Sequence, residues 1–109
     1  LRLREDFAGN AADARAWLAA DPRRSAVAVE ADRATLRAAR RAAAADAVRA
    51  RLQLIEADVT RLPADAHAPV DLLCALNYSI GYLHRRPVLV DYLRRARQAL
   101  APQGVIVLN

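Results

Sequence analysis

The 109-residue chain has no lysine, one cysteine, three glycines and five aromatic residues. Each shortage closes a route. The single cysteine, Cys74, excludes an internal disulfide and any multi-cysteine metal site, and no metal centre is expected. It lies in an apolar run, where cysteine serves as a small core residue; a reactive thiol needs an exposed, electropositive setting. No apolar run approaches the roughly 20 residues of a membrane-spanning helix, so the chain reads as soluble, cytoplasmic by default and without a membrane partner. Three scattered glycines cannot build the G-x-G-x-x-G loop that cradles a pyrophosphate. The aromatics (Phe7, Trp17, Tyr78, Tyr82, Tyr92) are not interleaved with basic clusters as in a base-stacking platform.

What is present is arginine, alanine and aliphatic residues. All 17 basic residues are Arg against 12 acidic ones, giving a net charge of +5 and a pI of about 10.6. Such a balance fits a nucleic-acid binder only if the charge is gathered on one surface. Here the arginines are dispersed, and Arg33, Arg37, Arg40 and Arg41 recur at helical spacing as one solvated helix face. With alanine at about a quarter of the chain, the basicity reads as a general compositional bias. A hydrophobic content of 55% supports one modest folded core and a single domain. Both ends lie in apolar stretches, Leu1 at one and Val105–Asn109 at the other, so the chain is expected to be the middle of something longer.

Strand and helix patterns alternate. The segment 1–6 reads as the end of a strand. Residues 11–20 read as a helix stopped at Asp21-Pro22. Ser25–Glu30 is a short β-branched run, and Asp32 is a good N-cap for a helix running to about Ala47. Residues 52–57 and 70–76 read as the third and fourth strands, with a loop containing Pro63 and Pro69 between them. Pro87 suits the first turn of a helix, and Leu89, Tyr92, Leu93, Ala96 and Leu100 form its apolar stripe. Ala101–Gly104 is a turn before a fifth strand at Val105–Asn109. Continuous apolar strands alternating with helices predict a parallel sheet covered on both faces: an α/β, doubly wound, Rossmann-like half. Such sheets bind ligands at the carboxyl ends of their strands.

Four strand ends carry candidate residues. After the first comes Glu5-Asp6-Phe7-Ala8-Gly9-Asn10, an acidic pair and then a small-residue turn. Small residues admit a ligand close to the backbone, and the acids would attract a cation; the same stretch also serves as an ordinary tight turn. After the second comes Glu30 with Ala31, 21 residues beyond Gly9, placed to accept from ribose hydroxyls or simply to meet solvent. After the third comes Asp58-Val59, which can pair with an exocyclic amine and a ring nitrogen, or form a turn. After the fourth comes Asn77-Tyr78-Ser79-Ile80-Gly81-Tyr82, a polar-aromatic loop able to line the reactive end of a ligand. Their joint placement at four consecutive strand ends points to a ligand site.

These segments resemble the class I, Rossmann-like S-adenosylmethionine-dependent methyltransferases. Leu3–Ala11 is similar to a variant of that family's first motif, an acid followed by a small-residue loop. Ala26–Asp32 resembles its second strand with the ribose-binding acid, and Glu56–Val59 its adenine-contacting segment. Asp71–Asn77 resembles the fourth-strand motif, and Leu100–Leu108 the L-x-P-G-G lead into the fifth strand. The first motif of the family is G-x-G-x-G; here only Gly9 stands, with Phe7 and Ala11 at the flanking positions. Alignment on Gly9 makes Glu5 the motif acid, with Asp6 beside it.

The resemblance implies five strands in the order 3-2-1-4-5, helices on both faces, and the absence of the family's last two strands. It implies S-adenosyl-L-methionine as cofactor, held within one partial domain over residues 1–109. Glu5 or Asp6 would attract the methionine ammonium, directly or through water, the Gly9 backbone would make room for the methionine moiety, and Glu30 would hold the ribose, with Phe7, Ala8 and Ala31 among the cofactor-binding residues. Asp58 and Val59 would read the adenine, and Asn77 and Tyr78 would border the methyl. No catalytic base is named, since His67 and His84 read as solvated loop residues. Asn77 is followed by Tyr78-Ser79 and not by the prolines of amino-methylating nucleic-acid enzymes, which favours a small-molecule acceptor over nucleic acid. Two other readings remain: an NAD(P)-dependent oxidoreductase domain, and a non-catalytic cofactor- or nucleic-acid-binding fragment.

Overall fold

The computed structural model describes residues 1–109 apart from the side chain of Asp65. Strands β1 (Arg2–Asp6), β2 (Ser25–Glu30), β3 (Leu52–Glu56), β4 (Val70–Ala75) and β5 (Leu100–Leu108) form one sheet in the order β3-β2-β1-β4-β5. Every pairing is parallel. The helices are α1 (Ala12–Ala19), α2 (Arg33–Ala45) and α3 (Arg86–Gln98), with short 3-10 turns at Arg49–Arg51, Ala64–His67 and Ser79–Tyr82. This is the expected α/β sheet and strand order.

Side chains alternate across the strands, and the two faces are filled differently. On one face Leu3, Ala26, Ala28 and Leu52 pack against Ala14 and Leu18 of α1 and Ala39 and Ala43 of α2. Alanines dominate this layer. On the other, Val27, Val29 and Ile55 meet Tyr92 of α3, and Val70 and Leu73 meet Ala96. Among the described residues no helix is long and apolar enough to cross a membrane.

Local chemistry explains the element ends. Asp32 caps α2, its Oδ2 accepting from the Thr35 N–H at 2.8 Å. At the other end the helix closes two residues short of the expected Ala47, in a Schellman pattern: the Val48 N–H donates to Ala43 O and the Ala47 N–H to Ala44 O. Ala47 takes the left-handed conformation that closure requires, with φ 58°. The fifth strand begins at Leu100, five residues earlier than Val105, because Leu100 pairs with Val70 before the chain bulges; pairing resumes at Leu72 with Val105. The bulge is the expected turn. A Cβ on Gly104 would lie 2.9 Å from Ala101 O and 3.1 Å from Val70 O, so only glycine fits there.

Replacing Ala47 by glycine relieves its left-handed strain, offset in part by a floppier unfolded chain. The Ala47→Gly variant should be more stable by about 0.5–1 kcal/mol, read as a melting temperature a few degrees higher.

Candidate functional site

The strand order reverses between β1 and β4, so the crevice beyond their carboxyl ends is where a doubly wound sheet takes its ligand. The turn after β1 is shaped by its backbone. Phe7, Gly9 and Ala11 have φ of 53°, 56° and 58°, left-handed at every second residue. Hydrogen bonds hold this path: the Ala8 N–H donates to Val29 O at 2.9 Å, and the Ala11 N–H to Ala8 O at 2.8 Å.

The two acids that end β1 face opposite sides of the sheet. Glu5 points to the α1 side, where its Oε2 accepts from the Ala14 N–H at 2.8 Å. Ala11 has no side-chain oxygen to cap α1, so Glu5 does the capping across the fold. Burial pushes its carboxyl up to about 7, and the charge of Asp13 adds to the rise, against the lowering effect of the Ala14 N–H. Asp6 points to the α3 side and has no exposed surface. Its Oδ2 accepts from Arg4 Nη2 at 3.0 Å and from the Tyr92 hydroxyl at 2.7 Å, while Arg4 Nε stands 2.9 Å from Oδ1. Burial and the Asp6 charge push the Tyr92 hydroxyl well above its ordinary range, so it remains a donor. Both carboxyls are therefore turned into the protein. Neither is among the residues that line the cavity described below.

Glu30, at the tip of β2, ties the site together. Its Oε1 accepts from the Gly9 N–H at 2.9 Å and its Oε2 from the Asp32 N–H at 2.8 Å. At the tip of β3, Asp58 Oδ1 accepts from the N–H and hydroxyl of Thr60 at 2.8 and 2.7 Å, and these bonds hold its carboxyl below the usual range. A cavity of about 340 Å³ opens between these tips. Of the expected residues it is lined by Phe7, Glu30, Ala31, Asp58 and Val59. Ala8 is buried, and Gly9 is outside the lining, its N–H bonded to Glu30. Asn77 and Tyr78 lie outside the lining: both are left-handed, and the Tyr78 N–H donates to the Asn109 side chain, leaving the ring 80% exposed. The fourth-strand loop instead contributes Tyr82 and Leu83, and α3 adds Val88. Tyr82 belongs to the polar-aromatic loop singled out in the sequence, but only the 3-10 turn at Ser79–Tyr82 decides that it, and not Tyr78, reaches the cavity.

Neither histidine lines the cavity; His67 and His84 are exposed. Cys74 is buried, and burial with the charge of Glu5 pushes its thiol up to about 12, so it supplies no nucleophile. Among the described residues no group of three or more His, Cys, Asp or Glu is placed to hold a metal.

A family profile described as a methyltransferase domain matches residues 7–104. The chain belongs to this methyltransferase-domain family. Solved structures share the fold. An S-adenosylmethionine-dependent methyltransferase from Clostridium acetobutylicum superposes with a TM-score of 0.83 at 18% identity, over 98% of this chain and 41% of that one. The sugar N-methyltransferase KedS8 from Streptoalloteichus gives 0.79 at 23%, over 98% and 39%. The glycopeptide N-methyltransferase MtfA in complex with S-adenosyl-L-methionine gives 0.78 at 24%, over 98% and 46%. The chain thus spans less than half the length of each. A search of curated proteins finds no match.

Two outcomes follow from the buried acids. Tyr92→Phe leaves Asp6 one donor short and should cost about 1–3 kcal/mol in denaturant or thermal unfolding. Glu5 holds its proton more tightly folded than unfolded, between its ordinary 4.5 and about 7. Stability must then fall as pH rises through that window and level off above it. Melting curves of Glu5→Gln, whose amide cannot ionise, should lose this component of the decline relative to the unmodified chain.

Proposed function

We propose that this chain is the cofactor-binding part of an S-adenosylmethionine-dependent methyltransferase acting on a small-molecule acceptor. The observation that carries the reading is the cavity at the switch point, where Glu30 and Asp58-Val59 converge from neighbouring strand tips in a member of the methyltransferase-domain family. The residues suit an adenosyl group. Val29, Val59, Leu83 and Val88 give apolar walls, and the carboxylates of Glu30 and Asp58 in the lining accept hydrogen bonds. The space a Cβ would fill at Gly9 has no protein atom within 4 Å, so the backbone there is open to close approach.

The cofactor supplies a methyl already activated on a sulfonium sulfur, so the protein's task is binding and orientation. Glu30 accepts from the ribose hydroxyls through the lone pairs that Gly9 and Asp32 leave free. Asp58 accepts from the exocyclic amine, and the Val59 N–H donates to a ring nitrogen. Glu5 acts through α1: by capping it, the carboxyl sets the loop that bounds the methionine end. Asp6 acts through Phe7, whose position it anchors. Asn77 and Tyr78, outside the cavity, stand on the side open to the acceptor. The sugar and glycopeptide acceptors of two structural neighbours support a small-molecule acceptor here.

Calorimetry tests the assignment. The chain should bind S-adenosylhomocysteine, and Glu30→Ala should weaken that binding by at least tenfold, the loss of about 1.4 kcal/mol or more expected when a charged hydrogen-bond partner is removed. Binding of NADH without any of S-adenosylhomocysteine would replace this reading with an oxidoreductase domain. Steeply salt-dependent DNA binding with neither cofactor would replace it with a nucleic-acid module.

A further inference from the structure

Phe7 is the unusual residue of the cavity. Its φ of 53° is a left-handed conformation that costs a bulky L-residue on the order of 1–2 kcal/mol. Its neighbours impose that conformation: Asp6 is tied to Arg4 and Tyr92, and the Ala8 N–H is bonded to Val29 O. The Phe7 ring stands 6.3 Å from that of Tyr82 at an interplanar angle of 26°, and 6.3 Å from that of Tyr92 at 58°. Tyr92 is buried and closes the wall from behind. Tyr82 is 78% exposed yet lines the same cavity. The cavity lining holds two carboxylates and no Arg or His. Aromatic faces and carboxylates share one preference, for positive charge.

The sheet order gives this wall a place along the ligand. From β3 through β2 and β1 to β4, the strand tips present Asp58-Val59, then Glu30, then Phe7, then the loop bearing Tyr82. If the base lies at β3 and the ribose at β2, as in the proposed function on which this step rests, the next part of the cofactor meets Phe7 and Tyr82. That part begins with the sulfonium. We infer that the Phe7–Tyr82 pair reads the sulfonium charge, and that it makes the chain favour S-adenosylmethionine over the neutral thioether product, S-adenosylhomocysteine. Both molecules carry the same adenosine and the same amino-acid end, so the sulfur charge and its methyl are all that separate them. A wall of this kind helps the spent cofactor leave.

The test is calorimetric titration of the chain and its Tyr82→Leu, Tyr82→Phe and Phe7→Leu variants with three probes. These are S-adenosylmethionine, S-adenosylhomocysteine and sinefungin, which carries an ammonium near the position of the sulfonium. Tyr82→Leu should weaken S-adenosylmethionine and sinefungin by about three- to tenfold, as expected for a cation losing one aromatic face, and S-adenosylhomocysteine by less than about twofold. Tyr82→Phe should keep the discrimination, and Phe7→Leu should reduce it. Since the Tyr82 ring is mostly in solvent, its variants should melt like the parent. Equal weakening of all three probes would show a merely apolar wall and overturn the inference, as would no change in any. If the unmodified chain binds none of the three, the proposed function itself fails, and this inference with it. If it binds them but Tyr82→Leu leaves their ratio untouched, only this inference falls.

Discussion

A carboxylate with no exposed surface ends the central strand. Asp6 is held by Arg4 from its own strand and by Tyr92 from α3, 86 residues away in sequence. Left without either partner, such a buried charge would cost several kcal/mol, so strand and helix are bound to one geometry. Its neighbour Glu5 does the matching task on the other face, where it caps α1. Successive residues of a strand point to opposite sides. Two adjacent acids at one strand end therefore clamp one helix on each face of the sheet, and the turn that leaves the strand starts from a position set on both sides.

That turn is where the chain departs from the glycine motif it resembles. The resemblance places three glycines at the positions of Phe7, Gly9 and Ala11, and the backbone keeps the left-handed conformation at all three. Only Gly9 adopts it without penalty. The other two are held by their surroundings: by the Asp6 cluster before Phe7, by the bonds at Ala8 and Ala11, and by the pull of Glu30 on the Gly9 N–H. Glu30 is thus a structural residue as well as a candidate ligand contact. Each of its oxygens accepts one backbone N–H and keeps capacity for a second donor.

Much of this was legible in the sequence where the signal was local. Ser25–Glu30 has the β-branched run of a buried strand and forms one with those bounds; Asp32 has the side chain of a cap and caps. Pro87 sits in the first turn of α3, and Tyr92 and Ala96 of its apolar stripe are buried. The misplacements lie where the deciding contact is remote. Leu100 joins β5 because Val70 is there to pair with it, although a turn intervenes before Val105. Tyr82 lines the cavity, and Tyr78 does not, because the loop after β4 winds through a 3-10 turn preceded by two left-handed residues. Nothing in the order of residues distinguishes the two tyrosines.

The sequence alone determined the alternation of strands and helices, hence the parallel sheet and the set of strand ends at which a ligand can bind. Periodicity and caps act over a few residues, so they can be read from the chain directly. Which acids face the crevice and which are buried was decided by tertiary structure. Glu5 and Asp6 look like an exposed acidic pair, but the helices packed on either face enclose them and supply the Ala14 N–H and the Tyr92 hydroxyl, which with the Arg4 guanidinium of the same strand make burial affordable. The scarce aromatics follow the same logic. Phe7 is far from Tyr82 and Tyr92 in the chain, and only the fold brings its ring beside theirs at the cavity.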